Sequence, residues 1–566
     1  MPMLKDGEEI TIHRTFQAVP ISELPTDFTV RDRTLALPLL DAIRNAQRWM
    51  DECLSGHEQC QKNTRTKFYP TRLLELGEST MRIVLTAQKK PSHPYATLSY
   101  CWGLNPSFLR LTASNLSRFQ EEIPCSELPI AFKEAIYFVK SLSIRYIWID
   151  ALCILQSGLG AIEDWRSECI KMQDVYSNCI VNLSLSRAAH PNASCFGGCT
   201  PEATLPFEVE TTGIYGDGDF AKHTCAVVSW EYYQEALYDQ PLGFRAWALQ
   251  ERILSPRVLS FGCGQLFWDC VQCPHASESF PCGLANLSQS FCLTEKAIPS
   301  TSDSRILNST WWRLLEEYIN CDLTFPETDK LMALSAVATR MASAMDDVYI
   351  AGHFWRTLPL SLNWQVKPPL TLEKRHREIP RRINGSTTVE ERQRQNQTPS
   401  WSWASMHGPV FIPLLIEPSG DFSLADAEAY TVSPVDERNP AGPIASASLT
   451  IKAHCAEIEW TREGPHVLCK SRLLVDGLYI LEVNADDPDD KPTDGATFWL
   501  AALAEDDWLG MWEGLVLEET DYKGERLYRR RGHYRLYDSQ MLERRSSWRD
   551  DLRIMFGQEK MALTLI

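Results

Sequence analysis

The chain of 566 residues has no apolar run approaching the ~20 residues that a helix spanning a bilayer needs. Its longest candidate, Ile144 to Leu155, is broken by Arg145 and Asp150, so no membrane span is expected. The opening MPMLKDGEEITIH has no apolar core and carries acids early, and does not read as a secretory leader. GxxxxGK[ST], GxSxG and HExxH are all missing, which removes the usual signatures of phosphate-cradling loops, nucleophile elbows and zinc proteases. Positive charge is in deficit as well. Lys and Arg number 56 against 74 Asp and Glu, leaving a net charge of −18. Such a surface repels a phosphate backbone, so general nucleic-acid binding is not expected. No internal repeat of fixed period is found.

What is present is an ordinary globular mixture: 44% hydrophobic, 10% aromatic and 23% charged residues. At roughly 100–200 residues per domain, the length allows about three to five domains, or two with large insertions. Eighteen cysteines do not imply a disulfide scaffold in so long a chain. They are expected as free thiols in a reduced, cytoplasmic setting, mostly buried as small hydrophobes.

Residues 1–90 read as a lead-in, with a helix over Leu39–Leu54 and alternating strands over Thr71–Leu85. Residues 91–260 read as α/β. Tyr95 to Trp102 is a buried strand stopped by Gly103, and Leu128-Pro129 opens a helix whose apolar stripe is Phe132, Ile136, Val139 and Leu142. A second strand runs from Ile144 to Asp150 and continues through Leu155, a second helix runs over Glu163–Tyr176, and a third strand follows from Ile180. Strand–helix–strand–helix–strand predicts a parallel sheet with flanking helices. Residues 261–366 are a mixed extension with a helical stretch over Ser309–Met345. Residues 367–398 are charged in both signs, poor in apolar residues, and expected to be mobile. Residues 399–566 alternate short strands with turns and predict a β-rich region.

Candidate chemistry is sparse. Cys270-Val-Gln-Cys273, with His275 and Cys282 nearby, lacks the second CxxC of a zinc knuckle, so no metal site is assigned. Gly158-Leu-Gly160 lacks the third glycine of a dinucleotide turn. On the helix over Glu163–Tyr176, Trp165, Cys169, Met172 and Tyr176 form one apolar stripe, with Glu168 at its margin. A partly desolvated carboxylate there suits proton or cation chemistry; pairing with Lys171 on a solvated face is the plainer reading. Asp150 ends a strand, where open α/β sheets collect ligands, although it would equally cap the next turn. Arg245, Trp247, Gln250 and Glu251 share a short helix and read as an ion pair with packing. The basic run Arg526–Arg535, with interleaved tyrosines, reads as a strand with a charged outer face.

Three blocks carry a resemblance. Tyr95-Ala-Thr-Leu-Ser-Tyr-Cys-Trp-Gly103, Tyr146-Ile-Trp-Ile-Asp-Ala-Leu-Cys-Ile-Leu-Gln156 with Asp164-Trp165, and Arg245-Ala-Trp-Ala-Leu-Gln-Glu-Arg-Ile-Leu-Ser-Pro-Arg257 resemble, in order, the fungal heterokaryon-incompatibility (HET) domain. Members often carry an acid after the glutamine of the second block, where this chain has Ser157. The resemblance implies a fungal cytoplasmic protein of non-self recognition and programmed cell death, acting with protein partners or by self-association. HET domains are remotely similar to TIR domains, some of which hydrolyse NAD through a glutamate on a helix beside a parallel sheet. By that analogy Glu168 is the catalytic counterpart, with Asp150 beside it. Tyr100, Trp102, Gly103, Cys153, Gln156, Trp165, Arg245, Trp247, Gln250 and Glu251 are then the motif core around the cleft. NAD would be a substrate, and no cofactor is implied. The rival reading is a non-catalytic assembly module that triggers death through partners.

Overall fold

The computed structural model describes residues 15–24, 28, 39–62, 68–78, 80–196, 206–212, 222–283, 301, 303–366, 381–383, 398–411, 422–461, 464–467, 479–487, 492–506, 510–522, 524–538 and 548–566. The charged segment 367–398, expected to be mobile, lies almost wholly outside these residues. The chain divides into two compact units, 1–297 and 298–566.

The first unit is built on an eight-stranded sheet. At its centre stand β4 (Tyr95–Ser99), β5 (Tyr146–Trp148), β6 (Val181–Ser184) and β9 (Arg257–Phe261). They run in the order β9-β6-β4-β5; the β4–β5 and β4–β6 pairings are parallel, as the alternation of strands and helices predicted, and β9, read from the sequence only as half of a strand pair, adds a third parallel pairing. The register lines up Leu98, Leu183 and Leu259 across three strands. All three are almost fully buried, each contributing about 1.5–3 kcal/mol. Every residue of β4 is buried because both faces of a parallel centre are covered.

Antiparallel strands complete the two edges. On one side lie β2 (Arg72–Leu76) and β3 (Met81–Leu85), so part of the segment read as a lead-in belongs to this sheet. On the other lie β10 (Leu266–Cys270) and β11 (Ala276–Ser277). A separate antiparallel sheet joins β1 (Phe16–Pro20), β7 (Phe207–Thr212) and β8 (Lys222–Ser229).

The helices of this unit are α1 (Leu39–Gly56), α2 (Glu58–Lys62), α3 (Leu116–Glu121), α4 (Ile130–Ser141), α5 (Asp150–Cys153), α6 (Ala161–Ser177) and α7 (Ala246–Leu254). Helix α6 starts after Gly160 in the left-handed region, and Glu163 and Asp164 in its first turn complement the helix dipole. Its buried face is Glu168, Cys169, Met172, Val175 and Tyr176, while Trp165 is only half-buried. The stripe is thus rotated toward Glu168 relative to the sequence reading. Asp164 anchors the helix to the sheet through a bidentate pair with Arg72 of β2, at 2.7 and 3.0 Å. Fourteen cysteines among the described residues are free, as expected; Cys263 is an exception and is disulfide-bonded.

The second unit opens with α8 (Ser304–Ile319), α9 (Pro326–Asp329) and α10 (Met332–Met345), so the helical stretch is three helices rather than one. Short strands β12 (Tyr349–Ile350), β13 (His353–Phe354), β14 (Gln365–Val366), β15 (Arg381–Arg382), β16 (Met406–His407) and β17 (Val410–Phe411) form three ribbons. A nine-stranded sheet follows, built from β18 (Asp426–Pro434), β19 (Ile444–Ala453), β20 (Cys455–Thr461), β21 (Gly464–Val467), β22 (Tyr479–Ala485), β23 (Ala496–Asp506), β24 (Met511–Tyr522), β25 (Glu525–Asp538) and β26 (Met561–Leu565). Helix α11 (Trp548–Phe556) packs Leu552, Met555 and Phe556 into its core.

The β-rich reading of residues 399–566 holds, but the charged outer face assigned to β25 needs correcting. Arg530 is fully buried, bonded to Asp486 at 2.9 and 3.1 Å and stacked 3.4 Å over Trp364. Asp486 also accepts from Arg382 at 2.6 Å. A buried guanidinium persists here because a buried carboxylate compensates it.

Candidate functional site

The carboxyl ends of the parallel strands bring the three sequence blocks together. After β4 the chain continues as Tyr100-Cys101-Trp102, then turns at Gly103 with φ 78°. A Cβ on Gly103 would sit 2.9 Å from His190 Cβ, so only glycine fits the turn. Asp150, the first residue of α5, receives this segment. Its Oδ1 accepts the Tyr100 hydroxyl at 2.5 Å and the Ala151 backbone N–H at 2.6 Å, and its Oδ2 accepts Trp102 Nε1 at 2.9 Å. Asp150 thus holds the first block against the second from the start of α5, where Ile149 and not Asp150 is the N-cap, and this helix replaces the continuation of the strand through Leu155 that the sequence suggested. Gln156 donates from Nε2 to the Asp150 and Ile154 carbonyls at 3.3 and 3.0 Å, bracing the second block.

The third block closes the cluster. Arg245, just ahead of α7, donates to the Tyr100 carbonyl at 2.6 Å. Burial works against its charge, but Glu251 and Asp150 outweigh it and raise the guanidinium pKa. Glu251 and Gln250 are buried on α7, and Trp247 is half-buried. Burial pushes the Glu251 carboxyl up to about 7, and Asp150 adds to the shift against the opposing pull of Arg245 and hydrogen bonds from Ser99 and Tyr176. The simple Arg245–Glu251 ion pair expected from the sequence is thus a mixed cluster of two carboxyls, one guanidinium and two tyrosines.

Tyr176, on α6, lies in the apolar stripe, where the sequence pattern conceals that its hydroxyl meets Glu251. Ser99 was hidden within a buried strand. The period-2 alternation supplies the missing signal: Thr97 and Ser99 share one face of β4. There both bond Asn182 Oδ1, at 3.0 and 3.2 Å, in a buried polar row that leads to Glu251.

Glu168 is elsewhere. It is 2% exposed, so it is not at the margin of a solvated face. Its Oε1 accepts the Thr71 hydroxyl at 2.7 Å and Lys171 Nζ at 2.9 Å, and Lys171 also donates to Thr71 Oγ1 at 3.0 Å. The Lys171 pairing read from the i, i+3 spacing is present, with a third partner that sequence distance concealed. Cys153 is buried and its thiol is pushed up to about 12 by burial, which makes it a poor nucleophile.

Chemically, the cluster of Asp150, Arg245 and Glu251 can hold or release one proton near neutrality. At the Glu168 site Oε1 is matched by Thr71 and Lys171, while Oε2 is buried with no hydrogen-bond partner among the described residues. As for metals, Cys273, His275 and Cys282 do not join Cys270 in a ligand set; Cys270 instead gathers with Cys53, His57 and Cys60.

No curated protein and no solved structure matches the chain. Residues 95–251, which run from the first residue of β4 to Glu251 itself, match the family described as heterokaryon incompatibility protein (HET), and the chain therefore carries a HET domain.

Proposed function

We propose that the chain is a fungal incompatibility factor whose HET domain acts as a non-catalytic assembly module, triggering cell death through protein partners in the cytoplasm. One observation carries this reading. Glu168, the residue that NAD cleavage by TIR analogy requires in an open cleft, is 2% exposed, and its Oε1 is held by Thr71 and Lys171. No helix among the described residues is long and apolar enough to cross a membrane, which accords with it. The β-rich region over 399–566 would then be the recognition surface.

A second reading is favoured by Glu251. A carboxyl titrating near 7, with Asp150 and Arg245 at the carboxyl edge of a parallel sheet, suits NAD hydrolysis in a TIR-like domain. Water would attack the ribose C1′, the bond from C1′ to the nicotinamide nitrogen would break with its electron pair leaving on nicotinamide, and a carboxylate would take the proton.

Inducible expression in a fungal host, scoring growth and NAD together, separates the two. The module reading expects growth arrest with NAD steady. Falling NAD, abolished by Glu251→Gln at unchanged protein abundance, would overturn it in favour of the catalytic reading. Losing such a group typically costs on the order of 10²–10³ in rate.

A further inference from the structure

The end of α1, the start of α2 and the end of β10 meet at a cluster unrelated to the strand-end site. Cys53, His57 and Cys60 follow a C-x3-H-x2-C spacing, which keeps all three on one side of the helical path. Cys270, the last residue of β10, comes from across the unit. One ligand atom from each of the four lies within 4.8 Å of all the others. His57 Nδ1 is 3.3 Å from Cys270 Sγ and 4.0 Å from Cys60 Sγ. A tetrahedral zinc with bonds of about 2.3 Å to sulfur and 2.0–2.1 Å to nitrogen requires ligand separations of roughly 3.5–3.8 Å. The observed separations bracket that requirement.

The surroundings are those of sulfur ligands rather than of ordinary buried thiols. The Cys273 backbone N–H donates to Cys270 Sγ at 3.3 Å, and the Gln272 backbone N–H donates to Cys60. The 270–273 turn, read from the sequence as an incomplete knuckle, thus supplies one ligand and two supporting N–H groups. Arg257, itself buried, donates from Nε to Cys53 Sγ at 3.0 Å. Three thiolates and a neutral imidazole around a divalent ion carry one net negative charge, which the Arg257 guanidinium offsets. Cys53, Cys60 and Cys270 are buried free thiols and His57 is half-buried, a closed four-ligand set of the structural kind. Next to it, Trp49 of α1 stacks on Trp268 of β10 with ring centres 6.4 Å apart.

We propose that Cys53, His57, Cys60 and Cys270 form a structural zinc site that fastens α1 and α2 to the edge of the main sheet. The site would couple folding of the N-terminal helices to metal and would take no part in chemistry at Asp150 or Glu251.

The full chain, purified under reducing conditions without chelator, should carry about one zinc per chain by elemental analysis, matching a single four-ligand site. Co2+ alone, added to the stripped chain, should give the intense d–d absorption and thiolate charge-transfer bands of a tetrahedral sulfur-rich site. Cys270→Ser should weaken Co2+ binding at least about tenfold, since even loss of a supporting hydrogen bond costs about 10–100-fold. Cys273→Ser, one turn away, should keep its metal, and His57→Cys should keep it with a red-shifted charge-transfer band. Absence of a tetrahedral Co2+ spectrum in the wild type, with the three thiols reduced, would overturn the proposal without any variant having to fold. So would equal loss of metal in Cys273→Ser and Cys270→Ser, or a disulfide among Cys53, Cys60 and Cys270 in the reduced preparation.

Discussion

Two buried carboxyls within the HET domain, Glu168 on α6 and Glu251 on α7, have opposite settings. Glu168 meets a lysine and a hydroxyl at direct hydrogen-bond distance. Glu251 has a second carboxyl, Asp150, competing for the same guanidinium. Burial is common to both; the balance of neighbouring charge is not. A carboxylate with a dedicated cation is a fastener, whereas one that shares a cation with another acid becomes a proton-holding group. The fold analogy pointed to the first residue, and the electrostatics point to the second.

The largest test of this contrast is Arg245→Met. It leaves Asp150 and Glu251 without their shared guanidinium, and truncating one member of a buried charge cluster costs on the order of 3–5 kcal/mol. Chemical denaturation followed by tryptophan fluorescence should show the first-unit transition moving by about that amount. A change below ~1 kcal/mol, the scale of an exposed pair, would dissolve the cluster as described.

Next comes pH. The Glu251 carboxyl titrates near 7 in the folded chain against an ordinary 4.5, so between those values the folded state holds more protons than the unfolded. Stability from this group is full below about 4.5 and is lost as pH rises through about 7. The loss is a few kcal/mol at most, at ~1.4 kcal/mol per unit. Glu251→Gln should flatten the slope between pH 4.5 and 7. A slope surviving Glu251→Gln would assign it to another group.

Smaller effects are expected at the Glu168 network. Lys171→Met strands a buried carboxylate and should cost about 2 kcal/mol, and Glu168→Gln, which keeps the Thr71 bond, about 1–2 kcal/mol. In cells both should reduce killing only as far as they reduce protein abundance, measured by immunoblot. Full abundance with no killing in Glu168→Gln would return Glu168 to a catalytic role.

The smallest is Trp102→Phe. It keeps the ring against Phe108, 5.5 Å between centres, and removes the N–H that meets Asp150 Oδ2. About 1 kcal/mol should be lost, the net worth of one hydrogen bond. A loss several times larger would make the Trp102–Asp150 contact a main support of the strand-end cluster.

The alternation of buried strands with amphipathic helices was enough to determine the parallel centre of the first unit, because local periodicity encodes which faces are covered. The same logic placed α4, α6, the hairpin of β9 and β10, and the β-rich region over 399–566. Block order was enough to point to the HET domain, since each motif is contiguous. Pairing of charges across the fold was not legible. Thr71 and Glu168 are 97 positions apart, Tyr100 and Arg245 145, and Arg382 and Asp486 104, and no local pattern reports such distances. The spacing of Cys53, His57 and Cys60 is local, but it offers only three ligands, and in the sequence Cys270 stands beside Cys273, His275 and Cys282 instead. Only the folded sheet, by setting the end of β10 against α1 and α2, brings the fourth ligand within reach. Glu251 shows the principle most plainly: its chemistry comes from burial and from Asp150, a residue 101 positions earlier in the chain that only tertiary structure makes a neighbour.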